Sequence, residues 1–271
     1  MASSSRYGLI AGNGKFPFLV LEAARSQGID MVVAAIKEEA FPEIEQHAKT
    51  VHWLSLGQLG KLIKIFKSEG VNHAIMAGQV KHKQIFSSIV PDLKMIQLLA
   101  SLAAKNTDSL IGGVAKMLED EGIHLIDSTL FLRPLLPDPG VLTSRAPSEE
   151  EKRDLDYGAK IARELGRLDL GQSVAVSDGA CVALEAMEGT DAVMERAASL
   201  VNGRMLRVVK LAKPNQDLRF DVPVIGPATV RLMSRLKVSA LAIEARKTLM
   251  IDREDLIREA DAAGIAIVAV E

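Results

Sequence analysis

Only one of the 271 residues is a cysteine, Cys181. An intrachain disulfide is therefore impossible, and the thiol content calls for no oxidising compartment. Long apolar runs are missing too. The longest, residues 262–270, holds nine residues, about half of the ~20 needed to cross a bilayer. Near the start, the apolar stretch 9–11 gives way to glycines and is too brief for a signal-peptide core. Together these features predict a cytoplasmic protein. Neither sign of charge is in excess: residues 1–133 carry 14 Lys and Arg against 13 Asp and Glu, and residues 134–271 carry 19 against 22. With no basic field, nucleic acid is not the expected partner. Histidine is absent from the second half, since His47, His52, His73, His82 and His124 all fall within the first 133 residues. A histidine-based centre is excluded there. Hydrolysis in that half would rely on carboxylates, lysine, hydroxyls and a hard cation such as Mg²⁺ rather than zinc. The His-rich signatures of calcineurin-like phosphoesterases and a Nudix glutamate cluster are likewise missing.

What is present has a globular balance, 48% hydrophobic and 25% charged, and a length that favours two domains. Short apolar runs at 7–11, 31–36, 51–54 and 74–77, separated by turn or helix signals, predict a parallel sheet with crossover helices. Between the last two runs, Leu59, Leu62, Ile63 and Phe66 recur at helical spacing while Lys61, Lys64 and Lys67 face away. That lysine row is either a solvated face or an attraction for phosphate or a membrane surface. Further helices are expected at 92–104 and 109–121, the second with Asn106, Thr107 or Asp108 as cap, followed by an apolar segment at 124–126. The stripe Met95, Leu98, Leu99 and Leu102 is either ordinary core or apolar cover for a lipid.

Pro134, Pro137, Pro139 and Gly140 resist regular structure and mark a linker at 134–147. The chain so divides into a Rossmann-like nucleotide-binding domain, residues 1–133, and a catalytic α/β domain, residues 148–271. The second opens with a charged helix at 148–165. Strands at 173–176, 206–209, 240–243 and 265–270 then alternate with helices at 191–200 and 253–263. The active site is expected in the cleft between the two domains.

Several turns could carry chemistry. Gly8-Leu9-Ile10-Ala11-Gly12-Asn13-Gly14-Lys15 runs from a strand into a glycine turn, with Pro17 suited to the first turn of a helix. Gly12, Asn13 and Gly14 could hold a phosphate on backbone N–H groups, or simply permit a tight turn. The turn is not a Walker A loop, because Leu9 stands where the first glycine belongs and Phe16 where Ser or Thr is required. Nor is it a dinucleotide fingerprint: Pro17 replaces the third glycine, and the second strand ends at Lys37 rather than an acidic residue. A nicotinamide-dependent oxidoreductase is disfavoured on both counts. A second turn, Ala77-Gly78-Gln79-Val80-Lys81-His82-Lys83, ends the fourth run at the same sheet edge, where open α/β sheets place ligands. In the second half, Lys213-Pro214-Asn215-Gln216-Asp217-Leu218-Arg219-Phe220-Asp221-Val222-Pro223-Val224-Ile225-Gly226 is a polar loop shaped by Pro214 and Pro223. Asp217 and Asp221 could ligate a metal, orient a water, or pair with Lys213 and Arg219. Ser177-Asp178-Gly179 and Glu188-Gly189-Thr190-Asp191 add two acidic or hydroxylic turns. Glu185 and Glu244 each fall within a largely apolar strand, where a carboxylate needs a partner or a role.

Taken together these motifs resemble the LpxI-type UDP-2,3-diacylglucosamine pyrophosphatases along essentially the whole chain. The likeness rests on Gly8 to Gly14 with Phe16-Pro17, on Ala77-Gly78-Gln79-Val80, and on Thr107-Asp108 through Ile126-Asp127-Ser128-Thr129. It also rests on Gly189-Thr190-Asp191 and, most specifically, on Lys213 to Asp217 and Asp221-Val222-Pro223-Val224-Ile225-Gly226. Ala245-Arg246-Lys247 departs from it, where glycine is expected. The resemblance implies Mg²⁺-dependent attack of water on the β-phosphorus, releasing UMP and 2,3-diacylglucosamine 1-phosphate (lipid X). It implies Asp221 as the essential carboxylate holding Mg²⁺ or the water, with Asp217, Gln216 and Lys213 supporting the phosphates. Gly189, Thr190 and Asp191 would form a phosphate cradle, and Gly78 and Gln79 a nucleotide contact. The expected partner is the glycolipid nucleotide itself, with room for transient contact with the inner membrane surface and for a homo-oligomer. The alternative is a binder of nucleotide sugars or glycolipids without turnover.

Overall fold

The computed structural model describes residues 6–80, 90–102 and 107–271. Lys81, His82, Lys83 and Asn106 of the sequence motifs lie outside these residues, as do the side chains of Thr107 and Asp108. The chain divides into two compact units, Met1–Leu132 with Asp217–Phe220, and Arg133–Gln216 with Asp221–Glu271. Four residues of the polar loop thus pack with the N-terminal unit.

That unit runs β1 (Arg6–Ala11), α1 (Phe16–Ser26), β2 (Val32–Ile36), β3 (Thr50–Leu54), α2 (Leu59–Ser68), β4 (Val71–Ala77), α3 (Leu93–Ser101), α4 (Thr107–Asp120) and β5 (His124–Leu125). Its sheet has the order β3-β2-β1-β4-β5, parallel throughout. This is the Rossmann-like half that the apolar runs predicted. Leu59, Leu62, Ile63 and Phe66 of α2 are buried and Lys61, Lys64 and Lys67 are exposed, so the 3.6-residue period sets which face meets the sheet. Each apolar side chain so buried contributes about 1.5–3 kcal/mol. Asp92 caps α3 by accepting from the Met95 N–H at 3.0 Å, and its other oxygen accepts from Gly60 N–H at 2.7 Å. One carboxylate thereby fixes the starts of two helices. Met95 and Leu98 belong to this unit's core, Leu102 packs against it, and Leu99 is more exposed.

The C-terminal unit runs β6 (Gly140–Val141), α5 (Glu149–Arg167), β7 (Ser173–Ser177), β8 (Ala180–Leu184), α6 (Thr190–Leu200), β9 (Leu206–Lys210), β10 (Val224–Ile225), α7 (Pro227–Arg235), β11 (Val238–Glu244), β12 (Leu249–Met250), α8 (Arg253–Ala262) and β13 (Ala266–Val270). Its main sheet has the order β6-β13-β11-β9-β7-β8. Strands β9, β11 and β13 are parallel, and β6, β7 and β8 pair antiparallel with their neighbours. One face packs on α6, α7 and α8 through residues such as Met194, Met233 and Leu256, the other on α5 through Leu155, Ala162 and Leu165. Ser148 starts α5 with a full capping box, reciprocated by Glu151, which satisfies two otherwise orphaned N–H groups.

Two details depart from the sequence reading. The Ser177-Asp178-Gly179 turn joins β7 to β8, the apolar strand expected around Glu185, although β8 ends at Leu184 and Glu185 lies just past it, whereas Glu244 does close β11; Asp178 and Gly179 both have positive φ, 51° and 75°, as a two-residue hairpin of matching twist requires. Where the resemblance expects glycine, Arg246 adopts φ 57° and its N–H donates to Pro137 at 2.8 Å, so the turn forms without glycine. No helix among the described residues is long and apolar enough to cross a membrane.

Candidate active site

In the N-terminal unit the strand order reverses between β1 and β4, the switch point where open α/β sheets leave a crevice at their carboxyl ends. Both glycine turns sit there. Gly12 N–H donates to Ala77 at 2.8 Å, Asn13 N–H to Gln79 at 2.9 Å, and Gln79 N–H back to Asn13 at 3.0 Å. A Cβ on Gly12 would stand 2.8 Å from the Gln79 carbonyl oxygen, and one on Gly78, at φ 93°, 2.6 Å from that of Asn13. The glycines are thus needed for backbone to touch backbone. Since the N–H groups of Gly12, Asn13 and Gln79 are spent on these bonds, a phosphate at this edge must find other donors. Asn13 Nδ2 donates to the buried Glu39 at 3.4 Å.

In the C-terminal unit β8 and β9 are both antiparallel to β7, hence parallel to one another. Helix α6, which follows β8, therefore starts at the edge where β9 ends. Lys210, the last residue of β9, pairs in register with Ser173 and Ile243 and is only 7% exposed. Its Nζ donates to Thr190 Oγ1 at 2.7 Å, and Thr190 Oγ1 lies 2.8 Å from Ser173 Oγ. Burial pushes the ammonium's pKa down from its ordinary value, while the charges of Glu185, Asp191 and Asp221 oppose that shift. Around one buried cation the fold thus gathers Thr190 and Asp191, on the turn after Gly189, together with Asp221 and the buried Glu185.

The loop after β9 is held by Gln216. Its Oε1 accepts from Lys213 N–H and its Nε2 donates to the Asp221 carbonyl, both at 2.8 Å, so it clamps the chain on either side of the excursion Asp217–Phe220 and fixes the backbone of Asp221. Lys213 Nζ pairs with Asp169 at 2.5 Å. Asp217 accepts from Arg219 Nε at 2.9 Å and Nη2 at 2.6 Å. Hydrogen bonding to that guanidinium lowers the carboxyl's pKa. Within the N-terminal unit, Ser128 Oγ lies 2.6 Å from the carbonyl of Met76 and 2.7 Å from that of Arg219, and these contacts anchor the excursion.

Lys210 and Ser173 escaped the sequence reading. Lys210 stands between Val209 and Leu211 in an apolar run, a placement that does mark an ionisable group needing a role. Among the described residues no group of three or more His, Cys, Asp or Glu side chains is arranged to hold a metal unaided. The carboxylates that share the surroundings of Lys210 are hard oxygen donors, with no imidazole in the same unit.

A profile of the LpxI N-terminal domain matches residues 6–135, and one of the LpxI C-terminal domain matches residues 138–268. The chain belongs to the LpxI family. The UDP-2,3-diacylglucosamine pyrophosphatase LpxI of Caulobacter vibrioides is 32% identical over 276 residues, covering 98% of both chains. As an LpxI-family member the protein is a hydrolase. Among solved structures, the chain resembles biotin-dependent carboxylases at low identity. The biotin carboxylase domain of Hydrogenobacter thermophilus 2-oxoglutarate carboxylase is 11% identical with a TM-score of 0.27, over 65% of this chain and 35% of its own. Rhizobium etli pyruvate carboxylase is 13% identical with a TM-score of 0.29, over 74% and 18%. Neither score carries an argument.

Proposed function

We propose that this LpxI-family protein hydrolyses the pyrophosphate bond of UDP-2,3-diacylglucosamine, with Mg²⁺, to UMP and 2,3-diacylglucosamine 1-phosphate. The observation that carries this reading is the 32% identity, along 98% of both chains, to a relative of that activity. The gathering of Asp221, Asp191, Thr190 and Lys210 at one strand end supports it.

A pyrophosphate diester resists attack because its own negative charge repels a nucleophile, so catalysis needs charge neutralisation, alignment and an activated water. Water attacks the β-phosphorus and the bond to the bridging oxygen breaks. That oxygen leaves with UMP, and the water oxygen stays on the lipid phosphate. Asp221, its backbone held by Gln216, would hold the cation or orient the water. Mg²⁺ characteristically takes one or two carboxylates and completes its shell with substrate phosphates and water, which suits the described residues, where no cluster would hold a metal unaided; when bound it would supply charge neutralisation. The turn Gly189-Thr190-Asp191 at the head of α6 offers helix N–H groups to a phosphate. Gly12, Asn13 and Gly14 with Gly78 and Gln79 contact the nucleotide. Lys213, Gln216 and Asp217 support the phosphates; for Lys213 and Asp217 this means exchanging an internal ion pair for substrate.

Incubation with UDP-2,3-diacylglucosamine and Mg²⁺ should release UMP and lipid X in equal amounts. In H₂¹⁸O the label should enter the lipid phosphate, and label in UMP would refute attack at the β-phosphorus. EDTA should stop turnover, and rescue by Zn²⁺ but by neither Mg²⁺ nor Mn²⁺ would contradict the metal assignment.

A further inference from the structure

We propose that Lys210 is a catalytic residue of this centre, its ammonium donating to a phosphate oxygen of the substrate beside the Gly189-Thr190-Asp191 turn. The proposal rests on the hydrolytic reading above and adds a cation to it. The first argument is hydrogen-bond accounting. An ammonium has three N–H donors, and among the described residues Lys210 gives one of them to a side chain, the neutral hydroxyl of Thr190 at 2.7 Å. The carboxylates of Glu185, Asp191 and Asp221 offset part of the cost of burying the charge, but none of them takes a hydrogen bond from Nζ, so two of its N–H donors have no side-chain acceptor among the described residues. A purely structural link between β9 and α6 could be made without charge. An anionic oxygen at the head of α6 would satisfy the remaining donors and add charge-assisted bonds, which are shorter and stronger than neutral ones.

The second argument is place. Lys210 ends β9, an interior strand parallel to β11 and antiparallel to β7, at the carboxyl edge of the parallel strands, where α/β sheets present ligands. The hydroxyl it holds belongs to the first residue of α6, whose N-terminal N–H groups favour an anion. The Thr190 hydroxyl, accepting from Lys210, can in turn donate its O–H to Ser173 Oγ at 2.8 Å. Ser173 thereby fixes the acceptor geometry and acts as a positioning residue. Lys210 also lies in the field of Asp191 and Asp221, so it couples the candidate phosphate turn to the candidate metal carboxylate.

Lys210→Met keeps the length of the side chain and removes its charge. The variant should fold with a cooperative melting transition, its melting temperature lowered to the extent that the buried Glu185 loses a counter-charge. Its kcat should fall about 10²-fold or more, with a smaller change in KM, and it should lose the thermal stabilisation that inorganic pyrophosphate with Mg²⁺ gives the parent. Parental kcat and unchanged pyrophosphate protection in a folded variant would overturn the proposal. Should Lys210→Met not fold, the parent itself decides. With ¹⁵N at lysine Nζ, the ammonium signal that exchanges slowest with solvent should shift when pyrophosphate is added, and an unmoved signal would overturn the proposal. Should the parent bind pyrophosphate through this ammonium yet release no UMP, the hydrolytic reading fails while the anion contact stands.

Discussion

The two units solve the same problem, a polar edge on an apolar sheet, in opposite ways. Among the described residues the N-terminal unit buries one charged side chain, Glu39, whereas the C-terminal unit buries Glu151, Asp154, Glu185, Arg207, Lys210 and Glu244. The first builds its edge from main chain, two glycine turns interlocked by backbone hydrogen bonds. The second builds its edge from charge. A backbone edge gives shape and suits recognition, while buried charges are costly and are retained where they do chemistry or fix geometry.

Substitutions can break or sharpen this contrast. Gly78→Ala strikes the backbone edge, forcing a Cβ to within 2.6 Å of a carbonyl oxygen at φ 93°. A loss of about 3 kcal/mol in urea unfolding of the N-terminal unit is expected from strain and overpacking together, and a loss below about 1 kcal/mol would show that the turns are not interlocked. The charged unit should be the acid-sensitive one. Burial alone would raise the Glu151 pKa, but hydrogen bonds from Arg145 and from Ser148 N–H outweigh it and hold the carboxyl at about 2 rather than 4.5. With the folded pKa depressed, this stabilisation is present above 4.5 and is lost as the pH falls toward 2. Between pH 6 and pH 3 the C-terminal unit should lose on the order of 2 kcal/mol through Glu151, and Glu151→Gln should flatten that slope. An unchanged slope would remove Glu151 from the account. Smallest is Asp217→Asn: its partner Arg219 is 42% exposed, so the stability change should stay below about 1 kcal/mol. A larger change in melting would make that ion pair structural.

The sequence exposed most of what periodicity governs. Helix α2 declared itself through Leu59, Leu62, Ile63 and Phe66, and the charged helix α5 through its charged run. The β7–β8 hairpin is legible too, since Asp178-Gly179 between alternating apolar residues is a strong hairpin signal. Helix α7, begun by Pro227, lay beyond the polar loop and went unread. The site was less legible because its chemistry is made by packing. A lysine at the end of a strand looks like a surface residue until α6 covers it. That Asp217–Phe220 pack with the first unit, while Gln216 and Asp221 stay with the second, depends on contacts such as Ser128 with Leu218 that join residues far apart in the chain. No local pattern records such contacts.

The most direct test of the central claim, hydrolysis centred on Asp221, is UMP release by Asp221→Ala beside the parent, with melting measured on both. Asp221 is exposed, so truncating it creates no cavity and folding should be little changed. Turnover should fall about 10²-fold or more while the remaining contacts still hold the ground state, and intact UDP-2,3-diacylglucosamine should stay bound through purification. Near-parental UMP release by a well-folded variant would contradict the account.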